Sequence, residues 1–424
     1  MLSLQYIREN SEYIIQQQKV RNKDFSDIIQ QLLQLDDDRR QTQKSLNTEQ
    51  SELNKFSKQI GKLFKEGKTQ EANQVKEKNS QLKENIKDKE KRLDEIKTEI
   101  DSLLVQVPNV PHESVKLGKG EEDNEEIRSD GKAPKLEGDV LTHWELAKKY
   151  DIIDFELGNK ITGRGFPVYK GSGAKLQRAL IAYFLDKAYE AGYYEVIPPL
   201  MVNEDSGFGT GQLPDKEGQM YHVPIDNYYL IPTAEVPVTN MYRDRILEHK
   251  ELPLKLTAYT PCFRREAGSW GKDVRGLNRL HQFDKVEIVQ IQHPEKSYDT
   301  LQAMLEYVES LLKELQLPYR MMRLCGGDLG FAAALTYDFE VYSAAQDKWL
   351  EVSSVSNFES YQANRLKLRY RDEQNNKPKL AHTLNGSALA LPRLLAAILE
   401  NNQTAGEIVI PEVLRPYCKF DFIK

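Results

Sequence analysis

Five short stretches of this 424-residue chain hold side chains that could act on an anionic substrate. In PCFRREAGS (Pro261–Ser269) Arg264 and Arg265 stand beside Glu266, and after a loop HQFDKVE (His281–Glu287) returns with Phe283 and Glu287. An arginine fork can grip a phosphate and a carboxylate together and neutralise the charge that builds as one attacks the other. Read as one continuous strand, the run places Glu266 on the face of Arg264, where a carboxylate could accept from an amino group, while Phe283 offers a ring for stacking. EVSSVSN (Glu351–Asn357) sets the carboxylate of Glu351 beside the hydroxyls of Ser353, Ser354 and Ser356. LNGSALALPR (Leu384–Arg393) carries Ser387 and Arg393, and PTAEVPVTN (Pro232–Asn240) carries Thr233, Ala234 and Glu235.

These residues need elements to hold them. Short β-rich runs at 194–197, 256–263, 284–290, 336–342 and 349–353 alternate irregularly with helical patterns at 173–191, 294–315 and 392–401. Without regular βαβ alternation they predict an α+β domain on a mostly antiparallel sheet. LNGSALALPR reads as a small-residue strand feeding a helix with Pro392 in its first turn, where no hydrogen bond is lost. Neither a Walker loop nor a GxGxxG is present, so any nucleotide would be bound without the common glycine-rich cradles.

The first hundred residues have another character. Positions 32, 35, 39, 42, 46, 49, 53, 56, 60 and 63 step by threes and fours, and seven of the ten are Leu, Ile or Phe. A second such seam begins at Ala72 and ends at Leu103, beyond a break at Phe64–Glu71 in which Gly67 marks a turn. Folded about that turn, Leu63 meets Ala72, Leu53 meets Leu82 and Leu32 meets Leu103, a mirror register that predicts an antiparallel helical hairpin roughly 50 Å long. Arg39, Thr42, Glu49, Asn79 and Lys89 interrupt the seam, and the long ones among them are expected to snorkel outward. Lys55, Lys58, Lys62, Lys65 and Lys68 recur along one face near the tip, either a solvated surface or a contact for a phosphate backbone. The stretch 107–135, rich in Pro, Gly and acid and without periodicity, reads as a linker, dividing an arm (1–106) from a body (136–424).

The motif order resembles that of class II aminoacyl-tRNA synthetases, and from the arm through CGGDLGFAAALTYDFEV to IPEVLRPY the chain resembles bacterial-type seryl-tRNA synthetases. The resemblance implies that Arg264 and Arg393 are the catalytic arginines, on the α- and γ-phosphates of ATP. It adds Arg265, Glu266, Phe283, Glu351, Val352, Ser353 and Ser354 to the ATP site, with Glu351 and Ser354 on Mg²⁺. Arg265, where the family commonly has Ser, is expected to turn its side chain away. Thr233, Ala234, Glu235, Arg264, Glu287 and Ser387 are implied to bind L-serine, and the lysine stripe to grip serine tRNA, with selenocysteine tRNA left open as a further acceptor. The run Gly192–Met201 matches the family's dimer-forming motif, which implies a homodimer. Ala388, Ala390 and Pro392 depart from the family's glycines and acidic residue, which concerns helix geometry more than the arginine.

Bulk properties agree with a cytoplasmic protein. The net charge of −6 confines any basic surface to a local patch, and the N-terminus lacks the apolar core of a signal peptide. Cys262, Cys325 and Cys418 are too few and too scattered for a disulfide framework or a zinc cage, so no zinc is expected. A carrier-protein ligase would lack the arm and use zinc, and a scaffold with a decayed body would have lost the motif arginines.

Overall fold

The mirror seam becomes two long helices. A computed structural model of the chain describes residues 1–136, 138–215, 218–266 and 274–424. The chain divides into two compact units, one of Leu2–Lys19 with Lys23–Pro108, the other of Met1, Val20–Asn22 and Asn109–Lys424.

In the first unit α1 (Leu4–Gln18) packs on α2 (Ser26–Lys65), which turns back into α3 (Thr69–Leu104). No seam pattern had marked α1, because only Ile7 and Ile14, both fully buried, anchor it. Ser3 caps it by accepting from the Tyr6 N–H at 3.1 Å. The 40 residues of α2 span about 60 Å. At the tip Gly67 takes φ +74°, and the N–H groups of Lys68 and Gly67 return to the carbonyls of Leu63 and Phe64, a Schellman closure that needs a residue free of Cβ strain. Leu46, Leu53, Leu82, Ile86 and Leu93 pack together in the seam, with Leu53 and Leu82 in the expected layer. The polar interruptions do not simply snorkel. Lys89 pairs with Glu49 and donates to Ser45 Oγ at 2.7 Å, while Arg39 is held by the buried Asp36 at 2.7 Å.

The second unit is built on eight strands: β1 (Glu125–Asp130), β2 (Tyr194–Glu195), β3 (Leu254–Phe263), β4 (Gln282–Gln292), β5 (Tyr319–Arg323), β6 (Leu335–Ser343), β7 (Lys348–Asn357) and β8 (His382–Ala390). Their order is β1-β5-β6-β7-β8-β4-β3-β2, and every neighbouring pair is antiparallel except β2 with β3. The expected linker is corrected here, since 107–135 contains edge strand β1, and the boundary between units falls at Pro108 and Asn109. An edge strand pairs on one side only and tolerates charge, so β1 carries no apolar alternation. It is tied instead by Glu125 to Arg323 and by Arg128 to Glu309.

The short helices α6 (Glu235–Asn240) and α8 (Ser360–Leu366) cluster with Val289 and Ile291 on one sheet face, and the opposite face is covered by α5 (Gly171–Glu190), α7 (Ser297–Glu314) and α9 (Leu391–Asn401), with α4 (His143–Lys149) packed on α9. Val286 and Ile288 of β4 and Leu384 and Ala388 of β8 join that core. By strand alternation the intervening Lys285, Glu287, Asn385 and Ser387 turn to the other face.

Candidate active site

That other face holds a cavity of about 540 Å³ lined by Thr233, Glu235, Arg264, Glu287, Ser387 and Arg393, among others. Phe283, Lys285 and Glu287 enter it from alternate positions of β4. Lys285 Nζ lies 2.5 Å from Glu287 Oε2 and donates to Thr233 Oγ1 at 2.9 Å, and Thr233 donates to the same carboxylate at 3.1 Å. Glu235, in the first turn of α6, accepts from Gln362 Nε2 of α8 at 2.6 Å, and Gln362 in turn accepts from Thr383 at 2.7 Å. Burial, and after it the nearby Glu287 carboxylate, pushes Glu235 up to about 7. Ala234 does not line the cavity; it is fully buried against Val238, Leu256 and Ala258, holding the turn that presents its two neighbours. Lys285 and Gln362 are functional candidates that sequence reasoning missed. The two-residue period from Phe283 to Glu287 would have found Lys285.

Arg264 sits differently from the one-strand expectation. β3 ends at Phe263, and Arg264 begins the connection, with its N–H bonded to the His281 carbonyl at 2.9 Å. Its Nε donates to Pro232 O at 3.3 Å and its guanidinium lies 5.3 Å from the centroid of the Phe283 ring. The shared-face argument for Glu266 therefore fails: Glu266 has left the strand with φ +50° and its carboxylate is paired with Arg279. It still lines the cavity. Arg265 does not, and its N–H bonds instead to Gln219 O at 2.8 Å. Ala267, Gly268 and Ser269 of the motif lie outside the described residues.

On β7 the backbone solves a problem the sequence left hidden. Residues three apart on a regular strand point to opposite faces, so Glu351 and Ser354 should not share a ligand. Phe339 of β6 pairs with Ser353 and Glu340 with Glu351, leaving Val352 as a β-bulge that re-phases the strand. Glu351, Val352, Ser353 and Ser354 all line the cavity, and Ser353 Oγ is anchored on Ser387 O at 2.6 Å. Opposite Ser354 stands Asp338, another missed residue, whose Oδ1 is buried without a partner among the described residues. Burial, with Glu351 adding to it, raises its carboxyl well above the usual range. No group of three or more His, Cys, Asp or Glu able to cage a metal occurs among the described residues. The oxygen donors Glu351 and Ser354, with the orphaned Asp338 oxygen beside them, fit a hard divalent cation that keeps waters and phosphates.

Arg393, on the first turn of α9, completes the ring of charge. Its Nε donates to Asn278 O at 2.9 Å, and its Nη1 to Glu351 O and Oε2 at 3.1 and 3.2 Å. Pro392 occupies the N-terminal turn of the helix, as expected.

The sheet and the arginines of this cavity define the architecture of a class II aminoacyl-tRNA synthetase core. Residues 221–402 match the family model described as the tRNA synthetase class II core domain (G, H, P, S and T). The fold alone is shared with the prolyl-tRNA synthetase of Giardia lamblia, at a TM-score of 0.56 and 16% identity over 64% of this chain and 54% of that one. Residues 1–111 match the seryl-tRNA synthetase N-terminal domain. The serine–tRNA ligase of Salinibacter ruber is 50% identical across 99% of this chain and 98% of its own length. The seryl-tRNA synthetase of Pyrococcus horikoshii, solved with ATP, superposes at a TM-score of 0.94 with 37% identity, covering 100% of this chain and 99% of that one. The chain belongs to the seryl-tRNA synthetase family.

Proposed function

We propose that this chain activates L-serine with ATP to give seryl-adenylate and pyrophosphate, and then transfers serine to the 3′-terminal adenosine of serine tRNA. The observation that carries the reading is one cavity holding both the Lys285–Glu287–Thr233–Glu235 cluster and the guanidinium groups of Arg264 and Arg393. The carboxylates of Glu235 and Glu287 are suited to the serine ammonium, and Thr233 and Ser387 to its hydroxyl. A pocket built around a substrate hydroxyl disfavours alanine by ~10⁴ or more, because its polar groups would be left unpaired. Threonine differs by one methyl, worth only about 1–3 kcal/mol unless it clashes, so shape must exclude it.

A serine carboxylate oxygen attacks the α-phosphorus in line, and the bond to the bridging oxygen breaks as pyrophosphate leaves. Arg264 spans the attacking carboxylate and the α-phosphate and so neutralises the charge gathering between them. Arg393 exchanges its contact with Glu351 for the γ-phosphate. Mg²⁺, held by Glu351 and Ser354, supplies neutralisation of the triphosphate when bound. The terminal adenosine hydroxyl of the tRNA then attacks the seryl carbonyl and AMP departs. Orientation does most of this work, with no covalent nucleophile required.

Lys55, Lys58, Lys62, Lys65 and Lys68 are all exposed along the tip of the hairpin, the placement a phosphate backbone requires. Selenocysteine tRNA, whose backbone chemistry is the same, is a further acceptor on this reading. A homodimer is supported by the exposed edge beside β2, where Tyr194 is 72% and Ile197 89% accessible. Among the described residues no helix is long and apolar enough to cross a membrane, and the three cysteines are free, which suits a reducing cytoplasm. Incubation of the purified protein with each of the twenty amino acids, ATP and total tRNA should attach serine alone, and Arg264→Ala should abolish serine-dependent ATP–pyrophosphate exchange. Parental exchange in that variant would remove the central assignment.

A further inference from the structure

A buried cluster behind the cavity is not used by the chemistry above. His143, the first residue of α4, and Glu400, in the last turn of α9, are both fully buried. Glu400 Oε1 accepts from the His143 backbone N–H at 2.9 Å and lies 2.7 Å from the imidazole Nδ1, while Glu400 Oε2 takes the Ser343 hydroxyl. On the other side of the ring, Nε2 is 2.8 Å from the backbone N–H of Leu277. A ring nitrogen that accepts from an N–H carries no proton, so the imidazole proton is on Nδ1 and is donated to Glu400.

The residues around Leu277 are docked on the same helix. The Arg275 guanidinium lies 4.7 Å from the centroid of the Trp144 ring. Gly276 has φ +65°, and a Cβ there would come within 2.2 Å of His143 Nε2, so the chain can pass the ring only as glycine. Asn278 Nδ2 donates to Gln346 Oε1 at 2.8 Å, and Gln346 Nε2 donates to Glu400 Oε1 at 3.1 Å. The carbonyl of Asn278 is then the acceptor for Arg393 Nε at 2.9 Å. Both ends of α9, Arg393 at the start and Glu400 near the close, are thus tied through one four-residue stretch of backbone.

We infer that His143 is a positioning residue for nucleotide use: bonded to Glu400 and to the Leu277 N–H, it fixes residues 275–278 so that the Asn278 carbonyl orients Arg393. The inference rests on the reading of Arg393 as the arginine that meets the pyrophosphate end of ATP. An arginine that is not held toward the pyrophosphate end binds the triphosphate less tightly, which gives so remote a pair a reason to matter.

The test uses His143→Asn, His143→Gln and Arg275→Ala in the full chain. Asparagine puts an N–H near the place of Nδ1 and nothing at Nε2. Glutamine reaches the place of Nε2 with an oxygen that can accept from Leu277, and Glu400 keeps its donors from Ser343, Gln346 and the backbone. In serine-dependent pyrophosphate exchange H143N should raise the KM for ATP about tenfold, with kcat and the KM for serine within about twofold. H143Q should restore the ATP KM to within about threefold of the parent, and R275A, at the exposed rim, should raise it about threefold without moving the melting temperature. Equal ATP KM values in H143N and H143Q overturn the inference. So does an unchanged ATP KM in R275A where H143N fails to fold. Arg393→Ala, run alongside, separates the two readings: a parental ATP KM there sinks the role of Arg393 whatever His143 does.

Discussion

Glu235 is protonated over part of the neutral range because it is buried beside Glu287, and only its ionised form can attract the serine ammonium. Lowering the pH from about 8 to about 6 should therefore raise the KM for serine, and Glu235→Gln should give a high KM with little pH dependence; an unchanged slope in E235Q would place the titration elsewhere. Stability runs in the same direction as the proton. With the folded value near 7 against an ordinary 4.5, the folded chain holds the proton more tightly, so this group's contribution is fully present below about pH 4.5 and fades as the pH climbs to about 7. Much of this site could be read residue by residue, since Thr233, Glu287, Ser387 and Arg393 all reach the cavity. Lys285 escaped because a strand lysine usually faces water, whereas here two carboxyl groups and a threonine surround it. The face of Glu266, though not its place in the cavity, was misjudged because nothing in the run RRE marks where strand pairing stops; the end is set by His281 across the loop.

Among the elements β7 shows what motif spacing conceals. Glu351 and Ser354 share a face only because Val352 is extra, and no local signal in EVSSVSN announces a bulge. Inserting one residue between Phe339 and Glu340 of β6, opposite Val352, should restore regular pairing, turn Glu351 away from Ser354 and lower exchange activity at least about a hundredfold at low Mg²⁺ while the circular dichroism spectrum is kept. Exchange at the parental rate in a folded insertion variant would show that the bulge does not align the pair. The long helices and central strands were legible from period and composition, their ends moving by a few residues. β1 and α1 were not, since an edge strand is covered on one side only and a helix held by two isoleucines carries too short a pattern.

At the scale of the molecule, the division into two compact units predicts separable activities. Removing Leu32–Leu103 and joining Gln31 to Leu104 should leave serine-dependent exchange intact and block charging of tRNA. If the truncated protein still charged tRNA at the parental rate, the arm would have no part in binding it. The same preparation should sediment as a dimer, since Tyr194 and Ile197 belong to the body; a monomer would remove the proposed role of that edge.

The hairpin was the most legible part of the chain because its register is repeated in every layer. Its polar step, Lys89 with Glu49 and Ser45, gives that repetition a further meaning. Sliding one helix by a heptad would leave the seam largely apolar yet part Lys89 from Glu49 and Ser45. The rod therefore behaves as a ruler with fixed graduations. It can be lengthened or shortened only in matched increments, seven residues on each helix for about 10 Å, and an unmatched insertion would be felt at once as a mis-set gauge at the lysine tip.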